Sequence, residues 1–491
     1  MTSTSIMSTL LNLKMANKAV AQAAETATDR KTLVCLFFEG GIDSYNMLVP
    51  NDDRYAEYAT TRGADRAAGG VALTQEELLA ISQYDIGGGI LGDGQLYGLN
   101  PNMAPIQTLF NGLTPGEADE KRRLAFISNV GTLIEPTTMA EYHSSTYQNR
   151  PQALYSHSDQ SEQWQTSLPQ GGINLTGWAG RIADILHDTA NSGSTSMSIS
   201  FSGNNTMQVG DITSQFVMTR DGALSFSDNS GFTSGGNNYH DHPAYLKNIA
   251  VKSLLDQQYS NLMEQAFVDL TKQSINQQEL VQSVFDSFDD SSITTSFPDN
   301  YLADQLYSAL KMIALREQLG LTRQTIFISY GGWDHHGELL DAQGERLSDV
   351  APAMLAFQQA LEELGLADSV VTFTGSEFGR TLRSNGRGTD HAWGGNQMVM
   401  GGPVQGGRVY GNYPSLALRA DGDNDYTNGI PDVGQGGRLL PSTSVDSFYG
   451  ELIRWFGVST SDIATVLPNY LNFHTNTTDL PLGFLKDGTY V

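Results

Sequence analysis

The chain reads as an α/β protein with a mostly parallel central sheet flanked by helices, and three observations predict it. Apolar runs rich in β-branched and aromatic residues at 31–38, 124–128, 326–328 and 370–373 read as buried strands, broken by glycines. Residues 243–288 and 301–319 carry apolar side chains at helical spacing and read as covering helices. Acidic and imidazole side chains follow the runs at 326–328 and 370–373, at the strand ends where open α/β sheets bind ligands.

Taken in order, residues 1–30 are rich in Ala, Thr, Ser and Met, with no long apolar core, no arginine pair and Lys14 as first basic residue. They read as a leader or disordered N-terminus rather than a clear export signal. A single domain over 31–491 follows. Its first strand ends in a Gly40–Gly41 turn that delivers Asp43, a carboxylate able to reach a cation or simply to cap a turn. The strand at 124–128 leads toward the segment 154–167, where Ser156 and Ser158 precede a helix predicted at 160–164. A hydroxyl there is a helix cap or, facing the positive helix terminus, a nucleophile.

Residues 194–238 are rich in Gly, Asn and Ser and suit short antiparallel strands of an inserted β-rich and helical middle region, about 194–300. His240 and His242 in YHDHP favour a loop turn over a metal arm, and residues 286–300 read as an acidic linker. Asp421, Asp423 and Asp425 match the start of a calcium loop, but Tyr426 and Asp432 break the pattern and favour a surface loop. The glycine clusters lack the context of a dinucleotide site.

With 54 acidic against 28 basic residues the net charge is -26, which excludes nucleic acid as a partner. No apolar stretch approaches the roughly 20 residues of a transmembrane helix. The lone Cys35, inside an apolar run, excludes an intrachain disulfide framework.

The chemistry concentrates in SYGGWDHHGE (329–338) and TGSEFGRTLRSNGRGTDHAWGG (374–395). At a strand end Asp334 and His336 point to one face and His335 to the other. With His391 and the carboxylates of Glu377 and Asp43 they form an inventory for two divalent ions, the arrangement that clamps the attacking and leaving oxygens of an ester. Arg380 is placed to grip a nonbridging oxygen. The ions expected are zinc, manganese, iron or calcium. The competing reading is structural, since Asp and His in Gly-rich turns also satisfy backbone donors.

The segments LVCLFFEGGIDSYNMLVP, SHSDQSEQW, GGWDHHGE, SEFGRTLRSNGRGTDH and LLPSTSVDSFYGELIRWFG resemble the DUF1501 family over about 31–473. The resemblance implies an alkaline phosphatase and sulfatase-like fold, a metal-dependent hydrolase of phosphate or sulfate esters, and export to the periplasm, cell surface or medium. It puts Asp334, His336 and His391 on one ion and Asp43 and Glu377 on the other, with a metal-activated nucleophile at Ser156 or Ser158. The substrate implied is a small-molecule or glycan ester. Glu377–Phe378 stands where that superfamily carries an Asp–His pair, which removes one expected ligand. The alternative is a noncatalytic exported surface or assembly protein, with a protein partner and a degenerate hydrolase-like fold.

Overall fold

The computed structural model describes residues 29–486 apart from 86, 113–120, 173–174, 193–194, 224–248, 252, 435 and 479, so nearly all of the leader and both His240 and His242 lie outside the described residues. The architecture is mixed α/β. A central sheet is built from β1 (Lys31–Glu39), β5 (Leu124–Gly131), β6 (Ser198–Ser200), β7 (Phe216–Thr219), β8 (Gly222–Ala223), β9 (Arg323–Gly331), β10 (Val370–Ser376), β11 (Gly395–Gly401), β12 (Val409–Tyr410) and β13 (Thr443–Ser444). Its order is β12-β5-β11-β10-β1-β9-β6-β7-β8, with β13 also on β5. Most pairings are parallel; β11 runs antiparallel to both neighbours, and β8 to β7. A small antiparallel sheet joins β2 (Leu48–Pro50), β4 (Tyr97–Leu99) and β3 (Leu79–Ile81).

Every residue of β5, β10 and β11 is buried, and all of β1 but its last residue, which requires cover on both faces of the sheet. Helices α1 (Tyr55–Arg62), α2 (Ala104–Asn111), α3 (His157–Thr166), α4 (Trp178–Ala190), α5 (Leu262–Phe285), α6 (Tyr301–Ala314), α7 (Leu339–Glu363) and α8 (Val445–Phe456) surround it. α7 packs on α6 and α2; α8 lies on β1 and β5. Trp178 from α4 stacks on Tyr449 from α8 at 4.5 Å, and both meet Phe373 of β10. Large aromatic faces thus tie helices to sheet in one continuous core.

The middle region differs from the antiparallel expectation at one point. β6 pairs parallel with β9, and β7 parallel with β6, so these strands widen the central sheet. Among the described residues no helix is long and apolar enough to cross a membrane.

Register places the site. Phe38 of β1 stands opposite both Tyr330 of β9 and Ser376 of β10, so three adjacent parallel strands end at the same height. The chain leaves them through Glu39–Gly41, Gly331–Asp334 and Glu377.

Candidate metal centre

The turn after β1 can only be built with glycine. Gly40 holds φ at +114°, and a Cβ there would stand 2.6 Å from the Asp334 nitrogen. This close approach lets the loop after β9 fold across the sheet end and present Asp334. Alternation within that loop follows the expectation: Asp334 and His336 are exposed, whereas His335 is buried between them. Burial, followed by the Arg380 charge, holds the His335 imidazole below its ordinary pKa.

A third histidine joins them from an unexpected direction. α3 begins at His157 rather than at 160, and the chain enters it with Tyr155 at φ +75°, a backbone state rare outside glycine. In that conformation the Tyr155 carbonyl stands 2.8 Å from His391 Nδ1, and His157 turns its ring edge-on to His391 at 4.4 Å.

The three imidazoles share one arrangement. His391 Nδ1 faces the Tyr155 carbonyl, His336 Nδ1 lies 3.1 Å from Asp390 Oδ1, and His157 Nδ1 meets Glu377 Oε2. A carbonyl or carboxylate accepts, so each ring is held through its Nδ1 and turns its Nε2 toward the shared centre. All three Nε2 atoms converge on Asp334. His336 Nε2 is 3.0 Å and His391 Nε2 3.2 Å from Oδ1, and His157 Nε2 is 3.6 Å from Oδ2. The His336 and His391 Nε2 atoms are themselves 3.0 Å apart.

Lone pairs of two imidazoles and a carboxylate at such distances repel unless a proton or a cation lies among them. A tetrahedral ion with bonds of about 2.0–2.1 Å sets its ligands roughly 3.3 Å apart, so the donor set fits one. His157, Asp334 and His391 each offer a ligand atom within 4.8 Å of the others, and His336 touches two of the three.

Electrostatics favour the charge states a cation requires. Burial raises the Asp334 carboxyl, but it lies below the ordinary carboxylate range, drawn down first by the Arg380 hydrogen bond and then by the Arg380 charge. Burial lowers His391 and so favours the neutral ring. Glu377 is only 7% exposed; burial raises its carboxyl against the pull of His157.

The other residues singled out in the sequence fall in different places. Glu377 orients His157 through Nδ1. Arg380, 1% exposed, donates to Asp334 and to the carbonyls of Gly40, Gly41 (2.8 Å) and Thr389 (3.0 Å). Its guanidinium is enclosed and holds Asp334, with no face turned outward to grip a substrate oxygen. Asp43 is fully buried against the equally buried Arg62 and is not brought to the histidines. Ser156 and Ser158 flank His157; Ser156 Oγ donates to Asp159 Oδ2 at 2.5 Å and stands 3.3 Å from Ser158 Oγ. Phe378 lays its ring on His391 at 4.4 Å and reaches His157 at 5.0 Å. The 421–425 loop is closed by its own bonds, with Asp423 taken by Arg419 and Asn428.

His157 is the candidate ligand that sequence reasoning missed. The segment SHSDQSEQW was weighed for its hydroxyls, yet its histidine is the one side chain there that a transition metal prefers.

The pattern of a family described as "Protein of unknown function (DUF1501)" matches residues 30–428. Among curated proteins none matches the chain. Among solved structures, a mutant form of the alkaline phosphatase PafA is similar at 12% identity over 73% of this chain, with a TM-score of 0.22. The chain spans 64% of the length of that structure.

Proposed function

The chain belongs to the DUF1501 family, and from its site we propose that it hydrolyses phosphate or sulfate esters with one bound divalent ion. The observation that carries this reading is the convergence of three Nε2 atoms on Asp334, each imidazole held from behind through its Nδ1. A bound ion would supply the local positive charge that an anionic ester needs on a protein of net charge -26. Imidazole donors favour zinc, manganese or iron over calcium, which takes oxygen ligands.

The chain's own residues divide the remaining work. Glu377, Asp390 and the Tyr155 carbonyl hold the imidazoles, and Arg380 holds Asp334. Ser156 is the nucleophile in this reading, because it lies between two residues that both contact the cluster, Tyr155 and His157. Asp159, already accepting the Ser156 hydroxyl, takes its proton as the oxygen bonds to phosphorus or sulfur. The bond from phosphorus or sulfur to the ester oxygen breaks as Asp159 passes that proton to the departing alcohol, and water then cleaves the seryl ester, its hydroxyl going to the phosphate or sulfate and its proton to Ser156 Oγ. The net reaction is ester plus water to alcohol plus free oxyanion.

One ion rather than two follows from the partners of the remaining carboxylates. Asp43 is neutralised by Arg62 and Glu377 is committed to His157. The test is metal content by plasma mass spectrometry on the native chain and an Asp334→Ala, His336→Ala double variant, with turnover of p-nitrophenyl phosphate and sulfate. About one equivalent in the native chain, lost together with turnover in the variant, supports the reading. Turnover by the metal-free variant overturns it. Absence of metal after reconstitution favours a noncatalytic assembly role.

A further inference from the structure

Two open clefts lie at the same end of the sheet as the cluster, of about 740 and 660 Å³, within the range of small-ligand pockets. Glu39 and Ser202 line both. The first also takes in Gly331, three residues before Asp334, and Glu39 precedes the Gly40 that packs on the Asp334 backbone.

The walls are chemically distinctive. Seven of the ten residues lining the 660 Å³ cleft are uncharged amides or hydroxyls, among them Asn204, Thr206, Ser214 and Gln215, and Glu39, Val209 and Phe327 complete it. The 740 Å³ cleft adds the ring of Tyr301, 55% exposed, and the charged pair Arg346 and Asp349, joined through the Tyr330 hydroxyl at 3.0 and 2.5 Å. Two buried amide oxygens have no partner: Gln215 Oε1, and Gln305 Oε1 on a residue 1% exposed whose Nε2 is fixed by the Phe201 carbonyl at 2.9 Å.

We propose that these clefts bind the alcohol part of the ester, and that this alcohol is an uncharged, polyhydroxylated sugar unit. A sugar presents hydroxyls that both donate and accept, which amides, hydroxyls and a carboxylate can pair, and an apolar ring face that stacks on a tyrosine. An aliphatic or aromatic alcohol would leave these polar walls without partners. A polyanionic alcohol would meet Glu39 and Asp349. The substrate class rests on the ester-hydrolase reading, but sugar binding itself does not.

The test therefore separates the two. Saturation-transfer NMR on the full chain, with and without metal, is run against methyl glucoside, a neutral disaccharide, glucuronate and hexanol. Transfer from the neutral sugars, weakened at least tenfold in Tyr301→Ala and in the cleft-filling Val217→Trp, supports the proposal. No neutral sugar bound, glucuronate or hexanol bound in preference, or binding unchanged in both variants overturns it. Sugar binding without hydrolysis of sugar phosphates or sulfates leaves the clefts assigned and removes the hydrolase reading instead.

Discussion

His157 and Glu377, 220 residues apart in sequence, meet through Nδ1 and Oε2 at the edge of the metal centre. The pairing decides which nitrogen of His157 is free, and it keeps Glu377 behind the histidine instead of on an ion. An acceptor of this kind contributes about 10–100-fold to metal affinity. Glu377→Ala is therefore expected to bind zinc 10–100-fold more weakly in chelator competition while keeping the same stoichiometry. Loss of a whole equivalent with no change in affinity for the rest would instead make Glu377 a ligand.

Asp43 tests the count of ions from the other side. Its carboxylate is buried with Arg62, whose Nη1 also donates to the Thr381 and Leu382 carbonyls at 3.0 and 3.2 Å. Removing one partner of a buried pair strands the other charge and costs about 3–5 kcal/mol. Asp43→Asn should lower unfolding stability by that order in urea titration, with the metal content of the folded protein unchanged. A drop in metal equivalents at intact fold would restore the two-ion arrangement.

Which parts were legible follows from how local each cause is. The strands at 31–38 and 370–373 announce themselves because burial writes itself into consecutive side chains, and Asp334 and His336 are legible as a pair because alternation is a property of neighbours. The partners of Asp43 and His157 are not. A buried carboxylate demands a cation, but nothing in YAEYATTR marks Arg62 as the one that arrives, and nothing near His157 names Glu377. The antiparallel β11 is likewise invisible, since its buried face reads the same in either direction.

Gly40 carries a steric prediction. Gly40→Ala places a methyl against the Asp334 nitrogen in a left-handed backbone, so the loop holding Asp334 must shift. Gly365, also at positive φ (+68°) with nothing within 4 Å of an added Cβ, is the control for backbone strain alone. Gly365→Ala should cost about 1 kcal/mol and keep the metal. Gly40→Ala should cost more and lose at least tenfold in zinc affinity. Equal effects of the two would show that the Gly40 approach does not position the site.

Asp446, in the first turn of α8, carries the pH prediction. The side chain is fully buried, and burial raises its pKa to about 7 against the opposing pulls of Ser167, the backbone and Arg181. The folded state therefore holds a proton that the unfolded chain releases near the ordinary value of 3.8. Stability from this group is complete below the unfolded pKa and falls as pH rises from about 4 to 7. At about 1.4 kcal/mol per pKa unit the total is roughly 4 kcal/mol, an upper bound. Asp446→Asn keeps the shape and removes the ionisation, so its unfolding free energy should match the native chain at pH 4 and exceed it by up to that amount at pH 8. A difference that is the same at both pH values would mean that Asp446 stays ionised in the fold, and that the Arg181 charge outweighs its burial.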